Sequence, residues 1–142
     1  MSSPLIRLLL VAPLLLGGPA VAEPPVVAIV VHPTRAETPT LAQVRQIYLR
    51  QRRFWTDRTP ILPVGLQFGT PGRTRFDQRV FGAQASDLGH YWDEQYFQGV
   101  LPPPTLASDE AVREYVAARP AAIGYLDLRF VDETVRVIAK LE

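Results

Sequence analysis

The chain has no cysteine among its 142 residues. Disulfides are therefore excluded, and attachment to a membrane through a lipid-modified N-terminal cysteine is not expected. After the first two dozen residues there is no apolar run long enough to span a bilayer. Neither sign of charge dominates: if Arg7 is removed with a leader, the 15 basic residues fall to parity with the 14 acidic ones. A neutral chain has no general attraction for nucleic acid or anionic lipid. Histidine is scarce. His90 stands four residues from Glu94, a spacing that suits two metal ligands, but no third ligand motif accompanies it and a solvent-facing pair is expected instead. Catalytic constellations are missing too. Ser86 has neither a histidine partner nor a G-x-S-x-G turn, and the adjacent Asp93 and Glu94 point in different directions. No enzymatic activity, cofactor or metal is expected. The excess of arginine over lysine is read as a bias of composition.

The N-terminus does carry a pattern. Arg7 precedes an apolar stretch from Leu8 to Leu16, followed by Gly17-Gly18-Pro19 and the small triplet Ala20-Val21-Ala22. This is the layout of a secretory signal peptide cleaved after Ala22. The apolar stretch is too short for a spanning helix, and Pro13 interrupts it. The expected organisation is a signal peptide over residues 1–22 and one domain over 23–142, exported to the periplasm. That length supports a single hydrophobic core without staples.

Along the domain, strands and helices alternate. The valine-rich run Val26 to Val31 reads as a strand covered on both faces. Thr38-Pro39-Thr40 supplies N-cap and first-turn chemistry for a helix that places Leu41, Val44, Ile47 and Tyr48 on one face. Arg50 to Pro60 reads as a loop anchored by Phe54 and Trp55, with Arg50, Arg52 and Arg53 solvated. Ile61 to Leu66 follows as a second strand in which Pro63 must turn its missing donor away from any ladder partner. A helix from about Arg73 to Phe81 comes next. Ser86 and Asp87 are expected to cap another, burying Leu88, Tyr91, Trp92 and Tyr96. Ser108 starts a fourth, with Val112, Tyr115 and Val116 inward, which ends before Pro120. Ala122 to Leu126 reads as a short buried strand and Thr134 to Ala139 as an edge strand. The aromatics Tyr48, Trp55, Phe76, Tyr91, Trp92, Tyr115 and Tyr125 are assigned to packing. Strands separated by helices imply a three-layer α/β domain with a mostly parallel or mixed sheet.

The best functional candidate is the turn Gly69-Thr70-Pro71-Gly72-Arg73. It places a helix N-terminus at the carboxyl end of a strand, where free main-chain donors and the positive end of the helix dipole attract an anion. The Thr70 hydroxyl, Arg73 and Arg75 add a donor and positive charge. The candidate ligand-binding residues are therefore Thr70, Gly72, Arg73 and Arg75.

Three segments occur in a recognisable order: Ile47-Tyr48-Leu49 with Phe54-Trp55, Ile61-Leu62-Pro63-Val64 leading to Arg73-Thr74-Arg75-Phe76, and Pro120-Ala121-Ala122-Ile123-Gly124-Tyr125. Over roughly residues 26 to 139 this order resembles the phosphate-binding proteins of ABC transporters, the type II periplasmic binding proteins, at the size of one lobe. In that family a Ser-Gly-Thr motif grips the phosphate, and counting back from Phe76 it falls on Thr70-Pro71-Gly72. The family's phosphate-binding arginine falls near Leu66 or Gln67. Arg50 and Ala121 stand where the family has glycine. The resemblance implies a phosphate ABC transporter substrate-binding-like protein that takes a small oxyanion such as phosphate, with a transporter permease or another envelope protein as partner. The alternative is an interaction or sensory module of the cell envelope that keeps the fold without the ligand.

Overall fold

The run of valine and isoleucine that opens the domain forms β1 (Val27–Val31), and every residue of it is fully buried. It lies at the centre of a mixed four-stranded sheet in a computed structural model that describes residues 2, 4, 10–14, 16–18 and 23–142. Arg7, Leu8, Leu9, Leu15 and the Ala20-Val21-Ala22 triplet lie outside the described residues. No helix among the described residues is long and apolar enough to cross a membrane.

The element order is β1, α1 (Leu41–Tyr48), β2 (Leu62–Pro63), β3 (Gly65–Leu66), α2 (Pro71–Val80), α3 (Leu88–Phe97), β4 (Thr105–Leu106), α4 (Asp109–Ala117), β5 (Ala122–Asp127) and β6 (Arg136–Leu141), with short 3-10 turns after α2 and β5. The main sheet runs β2-β5-β1-β6. β5 and β6 flank β1 antiparallel, with Ile29 opposite both Tyr125 and Ala139, and β2 adds parallel to β5. The sheet is therefore mixed rather than mostly parallel.

The expected strand from Ile61 to Leu66 splits in two. Leu62 and Val64 donate to the Ala121 and Ile123 carbonyls at 3.0 and 2.9 Å, so Pro63 between them turns its missing donor outward, at the sheet edge where proline is tolerated. The chain then leaves the sheet, and Gly65–Leu66 pairs parallel with β4 in a separate two-stranded ladder.

Two neighbouring residues of β5 define the layers, because successive strand side chains point to opposite faces. On one face a Cβ at Gly124 would lie 2.8 Å from Val112 and 3.0 Å from Val116 of α4. On the other face Tyr125 stacks on Phe76 of α2, with ring centroids 3.7 Å apart and planes 6° from parallel. Tyr48 of α1 meets Phe76 edge-on at 4.8 Å. The result is three layers, with α4 on one side and α1 and α2 on the other.

The hydrogen-bonding tips of two buried aromatics tie the recurring segments together. Tyr48 donates its hydroxyl to the Val64 carbonyl at 2.8 Å, with the Ile123 carbonyl also in reach, and the Trp55 indole donates to the Ala121 carbonyl at 2.9 Å. Several expected core positions lie elsewhere. Leu41 and Phe54 are exposed, and Tyr115 is half-buried. α3 forms but buries none of its residues fully and has no side-chain cap, with Tyr96 67% exposed. Its aromatic spacing reflects a helix laid over the rim of the core rather than through it.

Candidate functional site

β3 and β4 run parallel, and each leads into a helix: β3 into α2 and β4 into α4. Both helix N-termini open into one concavity of about 470 Å³, lined among others by Thr70, Gly72, Ser108, Asp109, Asp127 and Arg129. A crevice at the carboxyl ends of parallel strands is where α/β folds hold ligands.

Thr70 is the N-cap of α2 and Pro71 its first residue. The Thr70 hydroxyl accepts from Arg73 N at 3.3 Å and donates to the Gln67 carbonyl at 2.8 Å, so both of its roles are used within the turn. Pro71 has no N–H. The Gly72 N–H has no acceptor among the described residues, and neither does the Gly69 N–H. A Cβ at Gly72 would stand 2.7 Å from Leu66 Cδ1, so the buried Leu66 side chain would have to shift to admit one.

The two arginines expected beside Gly72 go elsewhere. Arg73 donates from Nε to Asp77 at 2.9 Å and from Nη1 to the Leu66 carbonyl at 3.0 Å, and it lines a different, aromatic-walled hollow of about 300 Å³. The i, i+4 spacing on α2 makes Asp77 the nearer partner. Burial raises the Asp77 carboxyl above the usual aspartate range, and Arg73 only partly offsets that. Arg75 donates to the Glu142 main-chain oxygen at 3.4 Å. The structure thus brings Thr70 and Gly72 together and separates Arg73 and Arg75 from them.

Other groups face the opening. Asp127, at the end of β5, is buried, and Arg129 holds its carboxyl below the ordinary range through hydrogen bonds from Nε and Nη2. Asp109 Oδ1 accepts from Asp127 N at 2.7 Å. Ser108 caps α4 by accepting from Ala111 N at 3.1 Å. The crevice therefore offers helix-terminal donors and one exposed guanidinium, together with three carboxylates, those of Glu23, Asp109 and Asp127, of which the last two are already engaged. Read along the chain, Ser108 and Asp109 are only a helix start. The signal the sequence carries is Asp127, a charge at the end of an otherwise apolar strand.

His90 and Glu94 form a surface pair at 3.3 Å, 82% and 63% exposed. Among the described residues no group of three or more possible metal ligands occurs.

No family-level sequence profile matches the chain, and neither does any curated protein. Solved structures do match it. An ABC-type phosphate transport receptor from Vibrio cholerae superposes with a TM-score of 0.63 at 19% identity, over 80% of this chain and 46% of the receptor. This is the fold of a phosphate-transport receptor at the size of one lobe. A putative phosphate ABC transporter substrate-binding protein from Clostridium perfringens, solved with bound phosphate, gives 0.65 at 22% identity, over 82% and 46% of the two chains. PstS from Borrelia burgdorferi gives 0.60 at 11% identity, over 81% and 47%. The chain spans less than half the length of each of these relatives in fold.

Proposed function

We propose that this protein is an exported, phosphate ABC transporter substrate-binding-like protein that binds a small oxyanion at the N-terminus of α2. The observation that carries the reading is the convergence of two helix N-termini at the ends of the parallel β3–β4 pair, with the Gly72 N–H open there. Two helix N-termini with unpartnered amides favour negative charge. Thr70 shapes the turn, and Gly72 allows the close main-chain approach. Arg129, paired with Asp127 but 81% exposed at its side chain, brings the one guanidinium to this crevice, since Arg73 and Arg75 turn to other partners. Asp109 selects for an oxyanion that carries a proton, because such an ion can donate where a fully ionised one is repelled. The leader-like pattern of residues 7–22 supports export. The fold neighbours are named as binding proteins, which supports a binding rather than an enzymatic role.

Calorimetric titration of the domain with phosphate and sulfate tests this. Phosphate is expected to bind more tightly than sulfate near neutral pH, because it still carries a proton there. Absence of heat with both anions would remove the receptor reading.

A second reading, an envelope interaction module that has kept the fold and lost the ligand, is favoured by one observation. Phe68, Phe97, Tyr96 and Leu101 are 86%, 88%, 67% and 62% exposed, more large apolar surface than an isolated lobe needs. A concentration-dependent dimer that does not respond to phosphate supports this reading.

A further inference from the structure

A second concavity, of about 460 Å³, lies between the end of α1 and the segment that follows α3, and it is lined by Arg50, Arg53, Val100, Leu101, Pro102 and Pro104 among others. No carboxylate lines it. Elsewhere in the fold Arg35, Arg52, Arg73, Arg113 and Arg129 each meet an acidic side chain within salt-bridge distance. Among the described residues the two arginines of this hollow do not, a trait they share with Arg45, Arg58, Arg75, Arg79, Arg119 and Arg136. Arg53 donates from Nε to the Arg50 carbonyl at 3.1 Å and meets no acid. The Arg50 guanidinium has no partner among the described residues, and its Nε is buried without a hydrogen bond.

An unpaired cation that is partly removed from water is costly. Arg50 adds a second cost, because its φ of 61° lies in the left-handed region, where glycine sits without strain. Arg50 and Arg53 thus both line a hollow that has no counter-charge among its lining residues. Arg53 is exposed, and half-buried Arg50 is held there against both its backbone preference and the desolvation of its Nε. An incoming anion would offset the desolvation cost. The planar guanidinium suits an oxyanion head, and the valine, leucine and proline walls suit an apolar body attached to it.

We propose that this hollow is a second binding site, for a small organic anion whose carboxylate or phosphate head is held by the terminal nitrogens of Arg50 and Arg53 and whose apolar body lies against Val100, Leu101 and Pro102. The site is distinct from the α2 crevice, and it rests on side-chain guanidinium groups rather than main-chain donors.

The test is an amide-resolved NMR titration with phenyl phosphate, benzyl alcohol and inorganic phosphate as separate probes. Phenyl phosphate is expected to shift the Gly99, Val100 and Leu101 amides. Inorganic phosphate should do so about tenfold more weakly, for want of an apolar body, and benzyl alcohol should leave these amides unmoved. Arg50→Gly and Arg53→Gln should each weaken the phenyl phosphate response about tenfold. Arg50→Gly also serves as the folded control, since glycine fits the backbone there. Shifts at Gly72 report the α2 crevice separately. Equal shifts with benzyl alcohol, no shifts through millimolar phenyl phosphate, or an undiminished response in both variants would overturn the proposal.

Discussion

Arg73 donates from Nε to the Asp77 carboxylate at 2.9 Å, one turn along α2 and away from the opening that Gly72 faces. The pair is half-buried, and Asp77 feels the loss of water more than the gain of its partner, so its carboxyl is raised. A raised carboxyl contributes stability below its unfolded value and loses it as pH rises through the folded one. Asp77→Asn removes that dependence. Urea unfolding should show wild type most favoured over Asp77→Asn in acid, with the advantage shrinking toward neutral pH. A difference that grows with pH would reverse the assignment.

Burial pushes the Tyr125 hydroxyl up to about 12 and raises that of Tyr48 well above the ordinary tyrosine range, both through desolvation first. In the unfolded chain tyrosine ionises near pH ~10. The contribution of these two phenols is therefore complete below that pH and is lost as the solution becomes more alkaline. Tyr125→Phe should flatten the alkaline limb of stability. It should also cost about 1 kcal/mol at neutral pH, because the Leu66 N–H that donates to the Tyr125 hydroxyl at 3.1 Å loses its acceptor. Denaturant unfolding across neutral and alkaline pH reads both effects.

Gly124 admits α4 onto the sheet. With Val112, Val116 and Val64 side-chain atoms at 2.8, 3.0 and 3.2 Å from the place of a Cβ, Gly124→Ala overpacks a buried face on three sides. A loss of about 1–3 kcal/mol is expected by thermal or urea unfolding, and Gly124→Val should lose more. An unchanged midpoint for Gly124→Ala would mean that α4 can shift freely.

Arg50→Gly should have the opposite sign. Relief of the left-handed strain at φ 61° outweighs the added freedom of glycine in the unfolded chain and gives a gain of up to about 1 kcal/mol. A rise in melting temperature checks it, and a fall would show that the Arg50 side chain packs more favourably than its missing hydrogen bonds imply.

Much of this fold was legible in the sequence because its central elements are marked by composition. The uninterrupted apolar runs of β1 and β5 and the cap at Ser108 each act locally and stand where they were expected. By contrast, α1 takes its cap from Thr40, the last residue of the Thr38-Pro39-Thr40 segment, and α2 starts at Pro71 under a Thr70 cap rather than near Arg73. What was not legible depends on long-range choices. Nothing in Ile61 to Leu66 says that the chain leaves one sheet for another at Val64. The aromatic spacing of α3 cannot show that the helix lies over the rim of the core. For the site, the sequence marked the turn from Gly69 to Arg73 but not the direction of the Arg73 side chain, which Asp77 decides from one turn away. Asp109, Asp127 and Arg129 meet only because β4 and β5 end at the same crevice.

The most direct measurement is an amide-resolved titration of the domain with inorganic phosphate. Saturable shifts of Gly72 and of the Asp109 and Glu110 amides, with little change at Arg75, are the predicted result. If those amides stay still while phosphate rises through the millimolar range, the α2 crevice is not an oxyanion site, and the likeness to phosphate receptors is one of fold alone.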